Sequence, residues 1–406
     1  MSIAPHLHFH RIPTGTAVDT SGKVNPNWQQ LWELDQAEAR EWFGTVDLSA
    51  PNPASLRAAY GRVGSQRERR HFLLSIDADE ADQARGTWQV CLHEHTFAGE
   101  PIADVIGVAS LGWERTINPH LAKADIYIQR RWRRRGIGRT VVDQLRQWCR
   151  EAGRSELEGW LTATPATDHD IAIFAVGRED RDAISRAGGA TPFALALGAQ
   201  LRQIETVFAI KGLQDPLQRS ALTAHARELT ALLSARNERD YELLTFDRAV
   251  PSDLREGYAR MFTGAERDMP QIAEDETPQV SAQEIAESDE RLRKAGVWTP
   301  TVVVRHRASG ALVGFTRVTW RSGMATAVQE ETWVDPAHRG RRLGLWIKAV
   351  NLGALLARPG ANPETGGPPL HLLLTFNAAE NRYMRAINTE LGYRVAGVEA
   401  VWRLAV

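Results

Sequence analysis

Two short stretches of this chain set arginines and glycines in the same order. The first reads Arg133-Arg134-Arg135-Gly136-Ile137-Gly138, and the second, 206 residues later, reads Arg339-Gly340-Arg341-Arg342-Leu343-Gly344. Each follows a strand-like run, ending at Ile128 or at Val334, and each opens an amphipathic helical pattern. Such a turn is an anion cradle. The N–H groups at a helix start have no intrahelical partner and carry partial positive charge, which suits a pyrophosphate. Glycine lets the backbone approach a phosphate closely, and arginine adds charge-assisted hydrogen bonds. The plainer reading of Arg130, Arg131, Arg133, Arg134 and Arg135 is a basic patch for nucleic acid. That reading leaves the glycines without a role, and 49 basic against 50 acidic side chains give no global pull toward polyanions.

The elements around the two stretches repeat as well. Gly107 precedes Trp113 as Gly314 precedes Trp320, and Leu197-Gly198 precedes Val207 as Leu391-Gly392 precedes Val401. Matched features in constant order indicate a duplicated domain. We expect domains at 1–212 and 236–406, joined by a Leu/Ala/Arg-rich linking helix at 213–235. In the first copy, Asn25-Pro26 starts a helix, strands follow at Phe72–Ile76, Thr87–Thr96, Asp104–Leu111 and Ala124–Ile128, and a long helix opens at Gly136. In the second, Ser281 and Glu284 form a capping box, Thr301–Arg305 and Leu312–Trp320 a hairpin, and Thr326–Val334 a strand. A helix from Leu343 toward Leu356 follows, then a surface turn at Pro359–Pro369. The fold class is α/β of the α+β kind: two domains, each a mixed, mostly antiparallel sheet flanked by helices.

The Arg-x-x-Gly-x-Gly turn between a strand and a helix resembles the coenzyme A pyrophosphate loop of the GNAT acetyltransferase superfamily. Arg133–Gly138 matches it fully; in the second copy Arg342 stands where the first glycine is expected. The chain resembles the tandem GNAT proteins of actinobacteria, a group that includes those of mycothiol-synthase type. The resemblance implies acetyl-CoA, or another acyl-CoA, bound by Ile128, Arg133, Arg134, Arg135, Gly136, Ile137 and Gly138 in the first copy. In the second it implies Arg339, Gly340, Arg341, Arg342, Leu343 and Gly344, with Thr332, Trp333 and Val334 offering backbone N–H to the thioester carbonyl. It also implies that Asn377 and Asn381, in an Asn-rich turn after the strand Leu370–Thr375, contact the pantetheine arm or the phosphates. Capping of the next helix is the structural alternative for Asn377. Many relatives place a tyrosine acid four residues before the Leu-Gly glycine; Asn388 and Ala194 stand there instead.

An amine attacking a thioester must lose a proton. Glu330 and Glu331 lie on the strand before the second loop, and alternation lets one of them face the site. Glu331 is preferred, because Asp125 occupies its place in the first copy. The first copy lacks a Thr-x-Asn turn after Leu161, so the second is expected to be catalytic and the first structural or merely CoA-binding. The expected activity is N-acyl transfer to a small-molecule or peptide amine by direct attack in a ternary complex. The alternatives are a non-catalytic CoA-binding scaffold, and acyl transfer from a carrier protein. His6, His8 and His10 alternate, as do Cys91, His93 and His95, but the chemistry requires no metal, and we expect none. Two cysteines make no disulfide framework, and no leader or membrane span is evident. A cytoplasmic monomer or homodimer, with no nucleic-acid or membrane partner, is expected.

Overall fold

Gly107 and Gly314 mark the same irregularity in two sheets. Leu74 pairs with Gly107 but Ser75 with Val105, and Val304 pairs with Gly314 but Arg305 with Leu312. One residue beside each glycine is therefore extra, a β-bulge. A Cβ on Gly107 would lie 2.3 Å from the Tyr127 carbonyl oxygen, and one on Gly314 would lie 3.0 Å from that of Trp333. Both sites require glycine because a neighbouring backbone passes through the space a side chain would fill.

The computed structural model describes residues 5–12, 24–43, 52–53, 56, 67–77, 87–94, 100–177, 182–269, 272, 276, 279–358 and 368–406. His95 and positions 359–367 of the expected surface turn lie outside the described residues. The chain forms two compact units, Met1–Ile204 with Glu399–Val406, and Glu205–Val398. The expected domains follow chain order, whereas the last eight residues belong to the first unit.

The first unit contains β1 (His6–Ile12), α1 (Pro26–Phe43), β2 (Arg67–Ile76), β3 (Gln89–Glu94), β4 (Val105–Glu114), β5 (Leu121–Ile128), α2 (Ile137–Glu151) and β6 (Glu156–Ala163). The short β7 (Ala172–Ile173), β8 (Ile184–Ser185) and α3 (Thr191–Ala196) follow, then the start of β9 (Gln200–Ile210). Its main sheet runs β3-β1-β2-β4-β5-β6 and ends on the chain's last strand. Pairing is parallel at β1/β3 and β5/β6, and antiparallel at β1/β2, β2/β4 and β4/β5. Helix α2 turns Val141, Val142, Leu145 and Trp148 onto the sheet, where Phe72 stacks on Trp148 at 4.6 Å. Each such buried side chain is worth roughly 1.5–3 kcal/mol.

The second unit takes the end of β9, then α4 (Pro216–Asn237), β10 (Tyr241–Phe246), α5 (Arg255–Asp268), α6 (Ala282–Lys294), β11 (Val297–Trp298), β12 (Thr301–His306), β13 (Leu312–Arg321) and β14 (Thr326–Val334). After these come α7 (Leu343–Leu356), β15 (Leu372–Ala378), α8 (Arg382–Glu390) and the first part of β16 (Arg394–Ala405). Its sheet runs β10-β12-β13-β14-β15-β9, and the β14/β15 pair is parallel. The Ser281–Glu284 capping box opens α6. Helix α4, expected as a linker, packs Ala226, Leu229 and Leu233 into the core of this unit alongside α7. Helix α7 is apolar almost all round and is buried over most of its surface, with Ala354 exposed.

Gly107→Ala should cost about 1–3 kcal/mol of stability, the range for forcing extra volume into a packed site. Gly314→Ala, with the looser contact, should cost less. Denaturant melts of the two variants check the order, and a Gly107→Ala protein as stable as the parent contradicts it.

Candidate active site

The two arginine–glycine loops share one backbone shape. Arg134 and Gly136 have φ of 65° and 87°, and Gly340 and Arg342 have φ of 80° and 61°. Each loop is left-handed at the same two places, and glycine and arginine exchange between them. The departure at Arg342 therefore keeps the loop conformation, at a cost of roughly 1–2 kcal/mol for a left-handed residue bearing a side chain. Its guanidinium is held by an ion pair with Glu390 of α8. Gly136 and Arg342 are the N-caps of α2 and α7, and neither helix has a side-chain cap. The first-turn N–H groups remain available to an anion. Ile137 and Leu343 are buried and anchor the two helix starts in their cores.

The leading arginines serve as braces. Arg133 Nε donates to the Ile128 carbonyl at 2.7 Å, and its guanidinium pairs with Glu41 at 2.9 Å. Arg339 Nε donates to the Val334 carbonyl at 2.9 Å and its guanidinium pairs with Asp268. Each closes its loop onto the end of the preceding strand, with its charge matched by a carboxylate. Both were expected as cofactor ligands from the sequence, which does not reveal the carboxylates that occupy them. Arg135 lies over Trp132 at 5.0 Å and Arg341 over Tyr241 at 6.0 Å. Arg134 lines a cavity.

That cavity arises where two strands part. In the first unit β5 and β6 pair from Leu121 to Ala124, and the last four residues of β5 have no partner on that side. A cavity of about 500 Å³ opens there, bounded by Ile128, Arg134, Gly136, Gly138, Phe193 and Trp402 among others. In the second unit β14 and β15 pair only at Thr326↔Leu372, Ala327↔Leu373 and Val328↔Leu374. From Gln329 to Val334, including Thr332 and Trp333, the edge of β14 on that side has no strand partner. Its backbone polar groups can pair with the amides of an extended ligand. Gly344 lies at the helix end of this gap, where a Cβ would meet Ile387 at 3.4 Å.

Alternation does not separate Glu330 from Glu331, as the sequence led us to expect. Thr316 pairs with Thr332 but Val318 with Gln329, so Arg317 stands opposite both glutamates. This bulge turns the two onto one face. Arg317 Nη2 donates to Glu331 Oε2 at 3.4 Å, and Thr319 Oγ1 donates to Glu330 Oε1 at 2.5 Å. The face carries α5, since Arg317 lies over Phe262 at 5.7 Å. Burial, and next the charge of Glu331, push the Glu330 carboxyl above its ordinary range. Glu266 on α5 is raised for the same two reasons. The first unit has no such bulge: β4 and β5 pair in unbroken register, and Asp125 bonds Ser110 and Arg69 there.

On the other side, Asn377 belongs to β15, paired in register with Thr206, and is not a helix cap. The cap of α8 is Asn381, which accepts from the Met384 N–H at 3.2 Å. The strand runs three residues past its expected end, because pairing with β9 continues through Ala378. Asn388 is fully buried on α8 and donates from Nδ2 to Asn377 Oδ1 at 2.5 Å. Its own Oδ1 accepts from Lys348 Nζ at 2.6 Å. The sequence reading missed Lys348 and Arg317. A signal for the first was present: Lys348 is the single charged residue in the helix LGLWIKAVNLGALL. Arg317 gives no signal, as nothing in a strand sequence announces a bulge opposite.

Among the histidines, His8 Nδ1 lies 2.9 Å from His93 Nε2, and His10 bonds Ser75 at 2.8 Å. Among the described residues no group of three or more His, Cys, Asp or Glu is placed to hold a metal ion. Nor is any described helix long and apolar enough to cross a membrane.

Residues 54–177 match the model of the Acetyltransferase (GNAT) family. No curated protein sequence matches the chain. Among solved structures, a tandem GNAT protein from the clavulanic acid biosynthesis pathway superposes with a TM-score of 0.64 at 19% identity, covering 98% of each chain. A GCN5-related N-acetyltransferase from Sphaerobacter thermophilus gives 0.55 at 12% identity, covering 94% of this chain and 93% of that one. These likenesses establish the tandem fold; they do not single out the mycothiol-synthase type.

Removing the buried carboxyl of Glu330 gives a pH-dependent test. A raised carboxyl holds its proton more tightly folded than unfolded, so the stability it confers is present at acid pH and lost as pH rises through the folded value. Glu330→Gln should therefore raise Tm more at about pH 8 than at about pH 5. A larger gain at acid pH would show that Glu330 is stabilised as a carboxylate.

Proposed function

We propose, from the premise that this chain belongs to the GNAT acetyltransferase family and carries its fold twice, that the second unit transfers an acyl group, most simply acetyl, from acyl-CoA to an amine. One observation carries the reading: the bulge that sets Glu330 and Glu331 together on the α5 face, beside the open edge of β14, which the first unit lacks. The uncapped start of α7 fits the pyrophosphate, and the gap between β14 and β15 fits the pantetheine arm. Backbone N–H groups on the open edge of β14 polarise the thioester carbonyl. The amine enters over α5 and gives its proton to Glu331, directly or through water. Its nitrogen bonds to the carbonyl carbon, the carbon–sulfur bond breaks, and the thiolate leaves. Glu330, already disposed to hold a proton, keeps a second negative charge from building beside Glu331. Most of the rate gain comes from holding amine and thioester in line.

A second reading places turnover in the first unit. The cavity there favours it, together with Glu38, whose carboxyl burial pushes up to about 7, with Asp35 and Asp125 adding to the effect. Paired loop variants separate the two. Gly344→Glu sets a carboxylate where the second unit would hold pyrophosphate, and Gly138→Glu does so in the first. We expect Gly344→Glu to abolish acetyl transfer to an amine panel. Gly138→Glu should remove one class of CoA site in calorimetry and spare turnover. Loss of turnover in a folded Gly138→Glu protein would move the reaction to the first unit.

The base has its own test. Glu331→Gln should lower kcat/KM by about 10²–10⁴-fold, the usual contribution of a general base. CoA affinity should stay unchanged. Full activity in Glu331→Gln removes Glu331 from the proton path.

A further inference from the structure

The position where relatives carry a tyrosine acid holds Asn388, and an amide has no proton to give. Behind it stands a lysine. Lys348 is 1% exposed, on a helix that is mostly buried, and its Nζ lies 2.6 Å from Asn388 Oδ1. Its other neighbours are Met384 Sδ at 3.9 Å and the Tyr393 ring at 5.6 Å. We propose that Lys348 fixes the direction of a buried hydrogen-bond chain, Lys348–Asn388–Asn377, so that Asn377 turns its N–H donors toward the departing sulfur of coenzyme A. The inference rests on placing the reaction in the second unit.

The direction follows from donor and acceptor counts. An ammonium only donates, so the Asn388 amide must present its oxygen to Lys348. Its NH2 group then faces the other way and donates to Asn377 Oδ1 at 2.5 Å. With that oxygen engaged, the Asn377 NH2 group is left over, and it has no partner among the described residues. Asn377 stands on β15 three residues beyond Leu374, where pairing with β14 ends, and so borders the gap. A thiolate accepts hydrogen bonds and is stabilised by donors aimed at it. Lys348 is thus a positioning residue, acting through two amides.

The chain is also conditional. Burial alone brings the Lys348 amine down to about 7, and no carboxylate or second cation acts on it. Tyr393 is the titratable group in contact with it, and burial pushes that phenol up. An uncharged amine has a lone pair and can accept, so the compulsion on Asn388 lapses as pH rises through this value. The fold is also less stable while this amine is charged. Between about 7 and its ordinary value the unfolded chain binds the extra proton, and stability rises with pH across that window.

The test reads the sulfur and needs no acceptor amine. In full-length Gly138→Glu protein, bound coenzyme A is titrated by the ultraviolet absorbance of its thiolate. Adding Lys348→Met should lower the thiolate fraction about tenfold when it is read at about pH 6, where the Lys348 amine still carries its proton. Asn388→Asp keeps a polar partner for Lys348 but cannot donate to Asn377, and it should lower the thiolate fraction as well. Lys348→Met should also raise Tm, most below neutral pH, which verifies that the variant folds. Coenzyme A bound by both variants with an unchanged thiolate fraction at that pH overturns the inference and leaves the proposed function standing. No binding in the Gly138→Glu parent overturns the placement of the reaction, and the inference with it.

Discussion

The second unit is organised by a failure of two parallel strands to stay together. β14 and β15 share three residue pairs and then part, while β14 continues to Val334 and β15 to Ala378. A buried backbone needs partners for its N–H and C=O groups. β15 finds them on its far side in β9, and the near edge of β14 beyond Val328 is left without a strand partner. Everything with chemical character lies along that gap. The glutamates sit on the α5 side of the sheet, the asparagine chain on the α7 side, and the arginine–glycine loop at the end where β14 gives way to α7. In the first unit β5 and β6 part in the same way, and a cavity of about 500 Å³ fills the space.

The loops show how much sequence a backbone shape tolerates. Two left-handed residues, one apart, turn each strand into its helix, and arginine and glycine trade places between the copies. The cost of a side chain in that conformation, roughly 1–2 kcal/mol, is small beside the burial that anchors the helix after it. Arg133 and Arg339 hold the loops to the strand ends and have carboxylates to balance them. Their likeness in the two units makes the brace part of the fold.

The two sides of the sheet in the second unit handle protons by opposite means. On the α5 side, burial and a like charge favour the protonated form of Glu330. On the α7 side, burial favours the unprotonated form of Lys348, because there the charged form is the protonated one. Low-dielectric surroundings thus bring an acid and a base toward neutrality on either side of one strand gap, and neither requires a metal. The first unit has the arginine–glycine loop but neither the bulge between its β4 and β5 nor the asparagine chain, since Ala194 stands where Asn388 does.

The sequence by itself determined the duplication, both arginine–glycine loops, the run of strands and helices, and the limits of β14 and α7. Those features are local. Periodicity, capping residues and glycines needed for close approach are written into neighbouring positions, and a repeat states them twice. Tertiary structure decided what depends on register and burial. A single extra residue opposite Arg317 put Glu330 and Glu331 on one face, and a bulge follows from how two strands settle their register. Pairing with β9 made Asn377 a strand residue, and Asn381 took the cap. Carboxylates on α1 and α5 claimed the leading arginines, and packing around α7 closed over Lys348. The carboxylates that claimed Arg133 and Arg339 lie 92 and 71 residues away along the chain and meet them only in the fold.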